Sequence, residues 1–276
     1  MPTTFLTKTA LTIAGSDSSG GAGIQADLKV FSILGVYGMT AVTAVTAQNT
    51  LGVKDTFELS PELVRRQIDV VASDIDADAC KTGMLGNAAV VEAVADAIEA
   101  NKLQPYVCDP VMFARSGDAL LAEDAVALVK KRLFPLAAVV TPNRREAAVL
   151  TGGDPKAKGD WTIAMAKDAA RRIADMGAAA VVMKGIVVGE ETVDLLYGGR
   201  EFTEFAAKTQ PKEKTHGTGC AFSAAITAGL ANRKTLVEAI DQAKQLVNWA
   251  IQYSDGQGRG TSPINVLAYA SKLPKK

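Results

Sequence analysis

Short apolar runs typical of β-strands alternate with longer segments of helical periodicity along most of the 276-residue chain. The predicted strands are residues 10–14, 40–47, 106–108, 138–141, 178–183, 192–197 and 201–205, and the predicted helices are residues 24–34, 60–73, 87–100, 122–133, 162–176, 221–230 and 236–251. This alternation favours a mostly parallel sheet with helices on both faces. No linker-like segment interrupts the pattern, so we expect a single domain over residues 1–276.

The composition excludes several classes of protein. Thirty basic residues balance thirty acidic ones, which argues against a general nucleic-acid-binding surface. One histidine leaves little room for a histidine-based zinc site, and three cysteines without paired spacing favour a reducing compartment. No apolar run approaches the length of a membrane span, and the first residues lack the apolar stretch of a secretory signal. We therefore expect a cytoplasmic protein with a small-molecule partner, and neither nucleic acid nor a membrane.

A glycine-rich turn follows the first predicted strand. Residues 15–23 read GSDSSGGAG, and in an open parallel sheet ligands bind outside the carboxyl ends of strands. A dinucleotide fingerprint is disfavoured because the acidic residue expected about 20 positions later is missing. Asp27 falls within the apolar arc of the next helix, where a carboxylate needs partners or a polar cavity. The alternative to a ligand-binding turn is a flexible connection between strand and helix. The alternative for Asp27 is a position at the rim of the apolar arc.

A second glycine-rich turn, residues 215–220 (THGTGC), leads into a small, apolar helix. Successive amides at a helix N-terminus suit an anion, because they point at it and the helix dipole favours negative charge. The same environment predicts a lowered pKa for the Cys220 thiol, although a small residue packed in the core is the alternative. His216 is expected to be a structural or turn residue.

Four polar side chains follow predicted strands at the same edge of the sheet. They are Asp109, Asn143, Glu146 and Lys184. Carboxylates can hold Mg²⁺, and a lysine with backbone amides can offset the charge of a transferred phosphoryl group. Together with the anion-binding turn, these residues point to phosphoryl transfer. No P-loop motif is present.

The motifs together resemble the ribokinase-like superfamily and, within it, the hydroxymethylpyrimidine/phosphomethylpyrimidine kinases of thiamine biosynthesis. The resemblance is carried by residues 14–27 (AGSDSSGGAGIQAD), 47–50 (AQNT), 81–85 (KTGML), 109–112 (DPVM), 141–146 (TPNRRE), 183–185 (MKG) and 215–220 (THGTGC). It implies a three-layer α/β/α ribokinase-like fold with a mostly parallel central sheet. It also implies ATP and Mg²⁺ as cofactors and a homodimer.

The resemblance also implies roles for individual residues. The pyrimidine would be contacted by Gly15, Asp27, Gln48, Met84 and Val111; the nucleotide by Asn143, Lys184, Thr215 and Thr218; the metal by Asp109 and Glu146. The catalytic residues would be Lys184, Cys220, and Gly217 and Gly219, whose backbone amides would form an anion hole, the site that binds the transferred phosphoryl group. Cys220 occupies the position at which many ribokinase relatives have an aspartate that acts as the base. Its role is therefore that of a base, a substrate contact, or both. The implied reaction is phosphorylation of the hydroxymethylpyrimidine and then of its monophosphate.

The sequence departs from the family pattern at one position. The family usually reads Met-Lys-Gly-Gly, whereas Ile186 follows Gly185 here. A β-branched residue disfavours a positive φ, so the sequence leaves open how Ile186 affects the local turn and its nucleotide contact.

Two alternative functions remain open. Related pyridoxal kinases carry a second cysteine shortly after Asp-Pro-Val-Met, and residues 113–118 contain none. This favours the pyrimidine, with pyridoxine or pyridoxal phosphorylation as an alternative activity. A non-catalytic pyrimidine-binding protein is the other alternative.

Overall fold

A nine-stranded sheet runs through the molecule, and helices cover both of its faces. The computed structural model describes residues 7–114, 117–157, 159, 161–210 and 212–273. The strands are β1 (Thr9–Asp17), β2 (Tyr37–Asn49), β3 (Gly52–Glu58), β4 (Ala79–Thr82), β5 (Tyr106–Cys108), β6 (Val139–Val140), β7 (Val181–Val188), β8 (Glu191–Tyr197) and β9 (Phe202–Lys208). The helices are α1 (Gly23–Ile33), α2 (Pro61–Ala72), α3 (Ala88–Ala100), α4 (Glu123–Leu128), α5 (Arg144–Leu150), α6 (Ile163–Ala174), α7 (Thr218–Ala231) and α8 (Leu236–Gln252).

The strand order brings the predicted polar residues to one edge of the sheet. The order is β3-β2-β1-β4-β5-β6-β7-β8-β9, with parallel pairing from β2 through β7 and antiparallel pairing of β3, β8 and β9. The carboxyl ends of the parallel strands therefore face the same way. The predicted strands 192–197 and 201–205 are confirmed as β8 and β9, which pair antiparallel on either side of Gly198 and Gly199.

Two apolar cores hold the helices against the sheet. One core packs α2 to α6 on one face, with Ile68, Val94 and Ile173 fully buried. The other packs α1, α7 and α8 on the opposite face, with Phe31 and Ile226 fully buried. The predicted three-layer α/β/α arrangement is confirmed. None of the helices among the described residues is long and apolar enough to cross a lipid bilayer.

Several helix starts follow from local sequence chemistry. At the start of the predicted helix 60–73, the Ser60 hydroxyl accepts a hydrogen bond from the Leu63 amide, and Pro61 occupies the first turn of α2, both of which are local signals of a helix start. Asn87 and Thr162 cap α3 and α6 in the same way. The predicted helix 122–133 is only partly right, because α4 ends at Leu128 and a π-helical turn continues over Val129–Leu133.

Three of the described strands and α-helices escaped the sequence analysis, each for a physical reason. The edge strand β3 is largely exposed, so it carries no alternation of buried and exposed residues. The helix α5 has only seven residues, too few for a periodic pattern, although the capping box of Asn143 and Glu146 marks its start. In β4 a lysine, Lys81, interrupts an otherwise small and apolar run of four residues.

A buried ion pair explains that lysine. Lys81 is fully buried, and its Nζ donates to Oδ2 of Asp27 on α1 at 2.8 Å. The Thr12 hydroxyl of β1 donates to the same carboxylate oxygen at 2.6 Å. The pair thus joins α1 to the adjacent strands β1 and β4, beneath the carboxyl edge of the sheet.

We expect Lys81→Met to destabilise the protein by about 3–5 kcal/mol, because it leaves the Asp27 carboxylate buried without its counter-ion. The double variant Lys81→Met/Asp27→Leu should recover most of this loss, since it removes both charges. Urea unfolding followed by circular dichroism measures both effects. Lys8→Met is the matched control, because the Lys8–Asp78 pair is about one-third exposed and should contribute at most about 1 kcal/mol. A loss in the double variant equal to that of Lys81→Met would contradict the explanation.

Candidate active site

A cavity of about 820 Å³ opens along the carboxyl edge of the parallel strands. It is lined by both glycine-rich turns and by residues that follow β5, β6 and β7. The predicted site residues in its wall are Gly15, Gln48, Met84, Asp109, Val111, Asn143, Glu146, Lys184, Thr215, Gly217, Thr218, Gly219 and Cys220. The volume is in the range of small-molecule and cofactor sites.

Asp27 is the one predicted site residue that does not line the cavity. Its side chain is fully buried beneath the sheet edge, with Oδ2 bound to Lys81 and Thr12. The second oxygen, Oδ1, is buried without a hydrogen-bond partner among the described residues. A pyrimidine contact by Asp27 stays a prediction, and Oδ1 is the atom that could make it.

The two glycine-rich turns pack backbone against backbone. Gly217 has a φ of +83° and precedes the first residue of α7. A Cβ at Gly217 would overlap the carbonyl oxygen of Gly21, and a Cβ at Gly21 would overlap the His216 ring. Both positions therefore require glycine, one for its conformation and both for space.

An acid–imidazole pair fastens the same two turns together. His216 Nε2 lies 2.9 Å from Asp17 Oδ2, and both side chains are buried. The Asp17 carboxylate also accepts hydrogen bonds from the amides of Ser19 and Ala22, both at 2.8 Å. Burial raises the pKa of Asp17, but the hydrogen bonds from His216 and Ser19 outweigh it and hold this pKa below its usual range. Sequence reasoning gave His216 no such partner, because 199 residues separate it from Asp17.

Asp109 and Lys184 meet beside the start of α7. Lys184 Nζ donates to Asp109 Oδ1 at 2.8 Å, and Thr141 and Ser223 hold the same carboxylate through their hydroxyls. A Cβ at Gly219 would lie 3.6 Å from Lys184 Nζ and 3.9 Å from Asp109 Oδ2. The backbone amides of this turn, the lysine and the aspartate therefore share one small region of the cavity.

A β-bulge in β7 places Lys184. The pairing of β7 with β8 shifts register between Met183 and Ile186, and Gly185 adopts a φ of +75°. The Asp194 carboxylate accepts a hydrogen bond from the Gly185 amide at 2.7 Å. Gly185 carries the positive φ of this turn, and Ile186 packs in the core at 3% exposure, so the β-branched residue does not occupy the left-handed position.

Asn143 and Glu146 form the capping box of α5. The Asn143 side chain accepts from the amides of Arg145 and Glu146, while Glu146 Oε2 accepts from the Asn143 amide at 2.8 Å. Burial, together with the nearby Asp109, raises the pKa of Glu146 to about 7, although Lys184 opposes the shift. Two acidic groups thus face one region without full compensation. Among the described residues no cluster of three or more acidic, histidine or cysteine side chains could hold a metal ion.

The prediction of a lowered pKa for Cys220 is wrong. Burial, with added repulsion from Asp27, raises the pKa of this thiol to about 12. The expected amide effect on the pKa is outweighed mainly by burial, and the carboxylates of Asp27 and Asp109 add to the shift while Lys81 opposes it. The side chain is partly exposed to the cavity, and at neutral pH it is a neutral thiol.

The comparisons with known proteins point to one family of kinases. Residues 17–265 match the model of the phosphomethylpyrimidine kinase family. The hydroxymethylpyrimidine/phosphomethylpyrimidine kinase of Rhizobium meliloti is 48% identical over 260 residues, which cover 92% of this chain and 96% of that protein.

Solved structures agree with this match. An ADP complex of the Bacillus subtilis pyridoxal kinase superposes with a TM-score of 0.87 at 37% identity, covering 97% of this chain and all of that one. The phosphomethylpyrimidine kinase of Clostridium difficile gives a TM-score of 0.76 at 38% identity, covering 88% of this chain and 99% of that one.

We expect iodoacetamide to label Cys220 slowly at neutral pH, with a rate that rises about tenfold per pH unit between about pH 7 and 9. The reason is the raised pKa, since only the thiolate reacts. Peptide mass spectrometry measures the label at each of the three cysteines. Protein unfolded in urea, where each thiol titrates normally, is the control. Rapid labelling of folded protein, independent of pH, would show that the thiol is already ionised.

Proposed function

Because this chain belongs to the phosphomethylpyrimidine kinase family, we propose that it is an ATP-dependent phosphotransferase acting on 4-amino-5-hydroxymethyl-2-methylpyrimidine and then on the resulting monophosphate. The observation that carries the proposal is the position of Gly219, at the start of α7, beside Lys184 and Asp109. Amides and a lysine placed together can receive the charge of a phosphoryl group in transit.

In the first reaction the hydroxymethyl oxygen forms a bond to the γ-phosphorus of ATP. The bond from that phosphorus to the β–γ bridging oxygen breaks, ADP leaves, and the alcohol loses its proton. Lys184 and the amides at Gly217 and Gly219 would offset the charge on the transferred group. Burial lowers the pKa of Lys184, but Asp109 and Glu146 outweigh this and raise it, so its ammonium stays charged.

We assign the pyrimidine to the part of the cavity wall formed by Gly15, Gln48, Met84 and Val111, all of which line the cavity. Gly15 allows the Met84 side chain close to the backbone, because a Cβ there would lie 3.0 Å from its sulfur. The Thr46 hydroxyl donates to Gln48 Oε1 at 3.1 Å, which leaves the amide nitrogen to face a ligand. These groups combine the apolar side chains of Met84 and Val111 with the polar Gln48 amide, which suits an aminopyrimidine.

The nucleotide phosphates would lie against Asn143, Thr215, Thr218 and Lys184. The residues present fit a divalent cation, because the two carboxylates of Asp109 and Glu146 are buried near each other and burial raises the pKa of Glu146. We propose that these two residues hold Mg²⁺, with phosphate oxygens and water completing its ligands. Bound Mg²⁺ would offset negative charge on the phosphate oxygens.

The neutral Cys220 thiol fits a substrate contact better than a base. A thiol with a pKa of about 12 donates a hydrogen bond but does not accept a proton at neutral pH. Phosphoryl transfer through a loose transition state depends mainly on position and charge, so a strong base is not required.

We also propose the remaining features that the family resemblance implies. The chain would act as one domain, since a single sheet runs through the described residues. It would form a homodimer, for which the exposed Val45, Leu51 and Phe57 near the β2–β3 edge are candidate contacts. A cytoplasmic location agrees with the free thiols of its three cysteines.

With ATP and Mg²⁺, we expect purified protein to convert the hydroxymethylpyrimidine to a monophosphate and then a diphosphate. Pyridoxal in the same panel tests the second candidate, which the similarity to a solved pyridoxal kinase favours. Product formation is followed by chromatography and by ADP release. Efficient turnover of pyridoxal alone would move the assignment to that substrate, and pyrimidine binding without turnover would indicate a binding protein.

We expect Lys184→Met to lower kcat about a hundredfold or more, because it removes a charge aimed at the transferred group. Steady-state kinetics with the hydroxymethylpyrimidine measure the effect. Lys167→Met is the matched control, since Lys167 lies outside the cavity, over the Phe202 ring, and should leave kcat unchanged. Unchanged turnover in Lys184→Met would remove the proposed role of this lysine.

A further inference from the structure

The two proposed acceptors differ in charge, and a cationic side chain that binds only the charged one would serve the second reaction. The alcohol is neutral, whereas the monophosphate carries a charge of about −1.5 to −2 at neutral pH. In the second reaction an oxygen of that phosphate forms the bond to the γ-phosphorus, and the bond to the leaving ADP breaks. The monophosphate must therefore approach Asp109 and Glu146, whose negative charge opposes it to the extent that Lys184 and a bound Mg²⁺ leave that charge uncompensated. A cation near the pyrimidine end would offset this repulsion in the second reaction only.

Most cationic side chains in the cavity wall either form ion pairs with a carboxylate or lie far from β5 and β6. The lysines and arginines that line the cavity are Arg144, Arg145, Lys184, Lys208 and Lys244. Lys184 pairs with Asp109 at 2.8 Å, and Lys244 pairs with Asp194 at 3.0 Å. Lys208 ends β9, three strands away from β6 in the sheet order. The charge available near β5 and β6 is therefore that of the two arginines.

The two arginines differ in what they contact. Arg144 donates through its guanidinium to the carbonyl oxygen of Gly159. Arg145 lies over the ring of Phe113, with 4.4 Å from its guanidinium carbon to the ring centroid. Neither forms an ion pair with a carboxylate in the part of the chain that the structure describes. Arg145 therefore presents a half-buried, uncompensated cation to the cavity.

Arg145 lies between the residues proposed to contact the pyrimidine and those proposed to hold the metal ion. Phe113 follows the proposed pyrimidine contact Val111 by two residues, and Arg145 stands directly before Glu146 in α5. The start of a helix disfavours a cation, because the amides there already carry partial positive charge. A bound anion would remove this penalty. The Phe113 ring beneath the guanidinium restricts its position, and the paired N–H donors of an arginine suit the oxygens of a phosphate.

We propose that Arg145 is the specificity-determining residue of the second phosphorylation, in which its guanidinium binds the phosphate of the monophosphate acceptor. The assignment rests on the proposed function, since it concerns the second acceptor of the same site. In the first reaction the acceptor has no phosphate, so Arg145 has nothing to bind and contributes little.

The test compares the two reactions in Arg145→Met, which keeps a long side chain on Phe113 and removes the charge. Steady-state rates are measured separately with the hydroxymethylpyrimidine and with its monophosphate. We expect kcat/KM for the monophosphate to fall about 10- to 100-fold, mainly through KM, as for loss of a charge-assisted hydrogen bond. The rate with the alcohol should stay within about twofold of wild type.

Arg171→Met is the matched control. Arg171 also lies over a phenylalanine ring, 5.0 Å from the centroid of Phe202, but it is exposed and outside the cavity. It should change neither reaction. Calorimetry without ATP gives a second measurement, in which Arg145→Met should weaken binding of the monophosphate but not of the alcohol. Arg145→Lys, which keeps the charge without the paired donors, should fall between wild type and Arg145→Met.

Two outcomes would overturn the assignment of Arg145. Equal losses in both reactions, with a raised KM for ATP, would make Arg145 a nucleotide contact. An unchanged rate with the monophosphate would remove it from the site. Failure of the wild-type protein to phosphorylate the alcohol is a different result, because it would overturn the proposed function itself.

Discussion

The contact between the two glycine-rich turns is the constraint on which the site depends. Gly21 and Gly217 approach so closely that neither position accepts a side chain, and the Asp17–His216 pair holds the turns in that position. The first turn carries the proposed pyrimidine contact Gly15, and the second carries the amides that would receive the phosphate. A small separation of the turns would therefore move acceptor and anion hole apart, which transfer chemistry tolerates poorly.

Most of the described charged side chains in and beneath the site are paired with a side chain of opposite charge. Lys81 neutralises Asp27 beneath the cavity, and Lys184 pairs with Asp109 at its floor. Glu146 remains with a pKa raised by burial, and Arg145 remains without an acidic partner among the described residues. We propose that Glu146 meets the metal ion together with Asp109, and that Arg145 meets the phosphate of the second acceptor. The Lys81–Asp27 pair lies outside the cavity lining, whereas the Lys184–Asp109 pair lines the cavity and would itself meet the phosphate and the metal ion.

Much of the fold was predictable because its signals are local. Ser60 with Pro61 marked the start of α2, and the apolar run before Asp109 marked β5. The predictions failed where distant residues decide the outcome. The pKa of Cys220 is set by burial and by Asp27 and Asp109, from separate elements, and not by the amides next to it in sequence. The strand β4 was not predicted because it contains a lysine, and Asp27, the partner that allows Lys81 to be buried there, is 54 residues away in the sequence.

The sequence by itself determined the alternating strands and helices, the glycine turns and the residue types at the strand ends, because periodicity, turn chemistry and motif spacing are written in neighbouring residues. It also determined the family, since motifs from most of the chain agree. Only the tertiary structure decided that His216 meets Asp17, that Asp27 lies beneath the cavity, and that Arg145 stacks on Phe113. Such contacts join residues far apart in the chain, and their energies depend on burial, which exists only once the chain is folded.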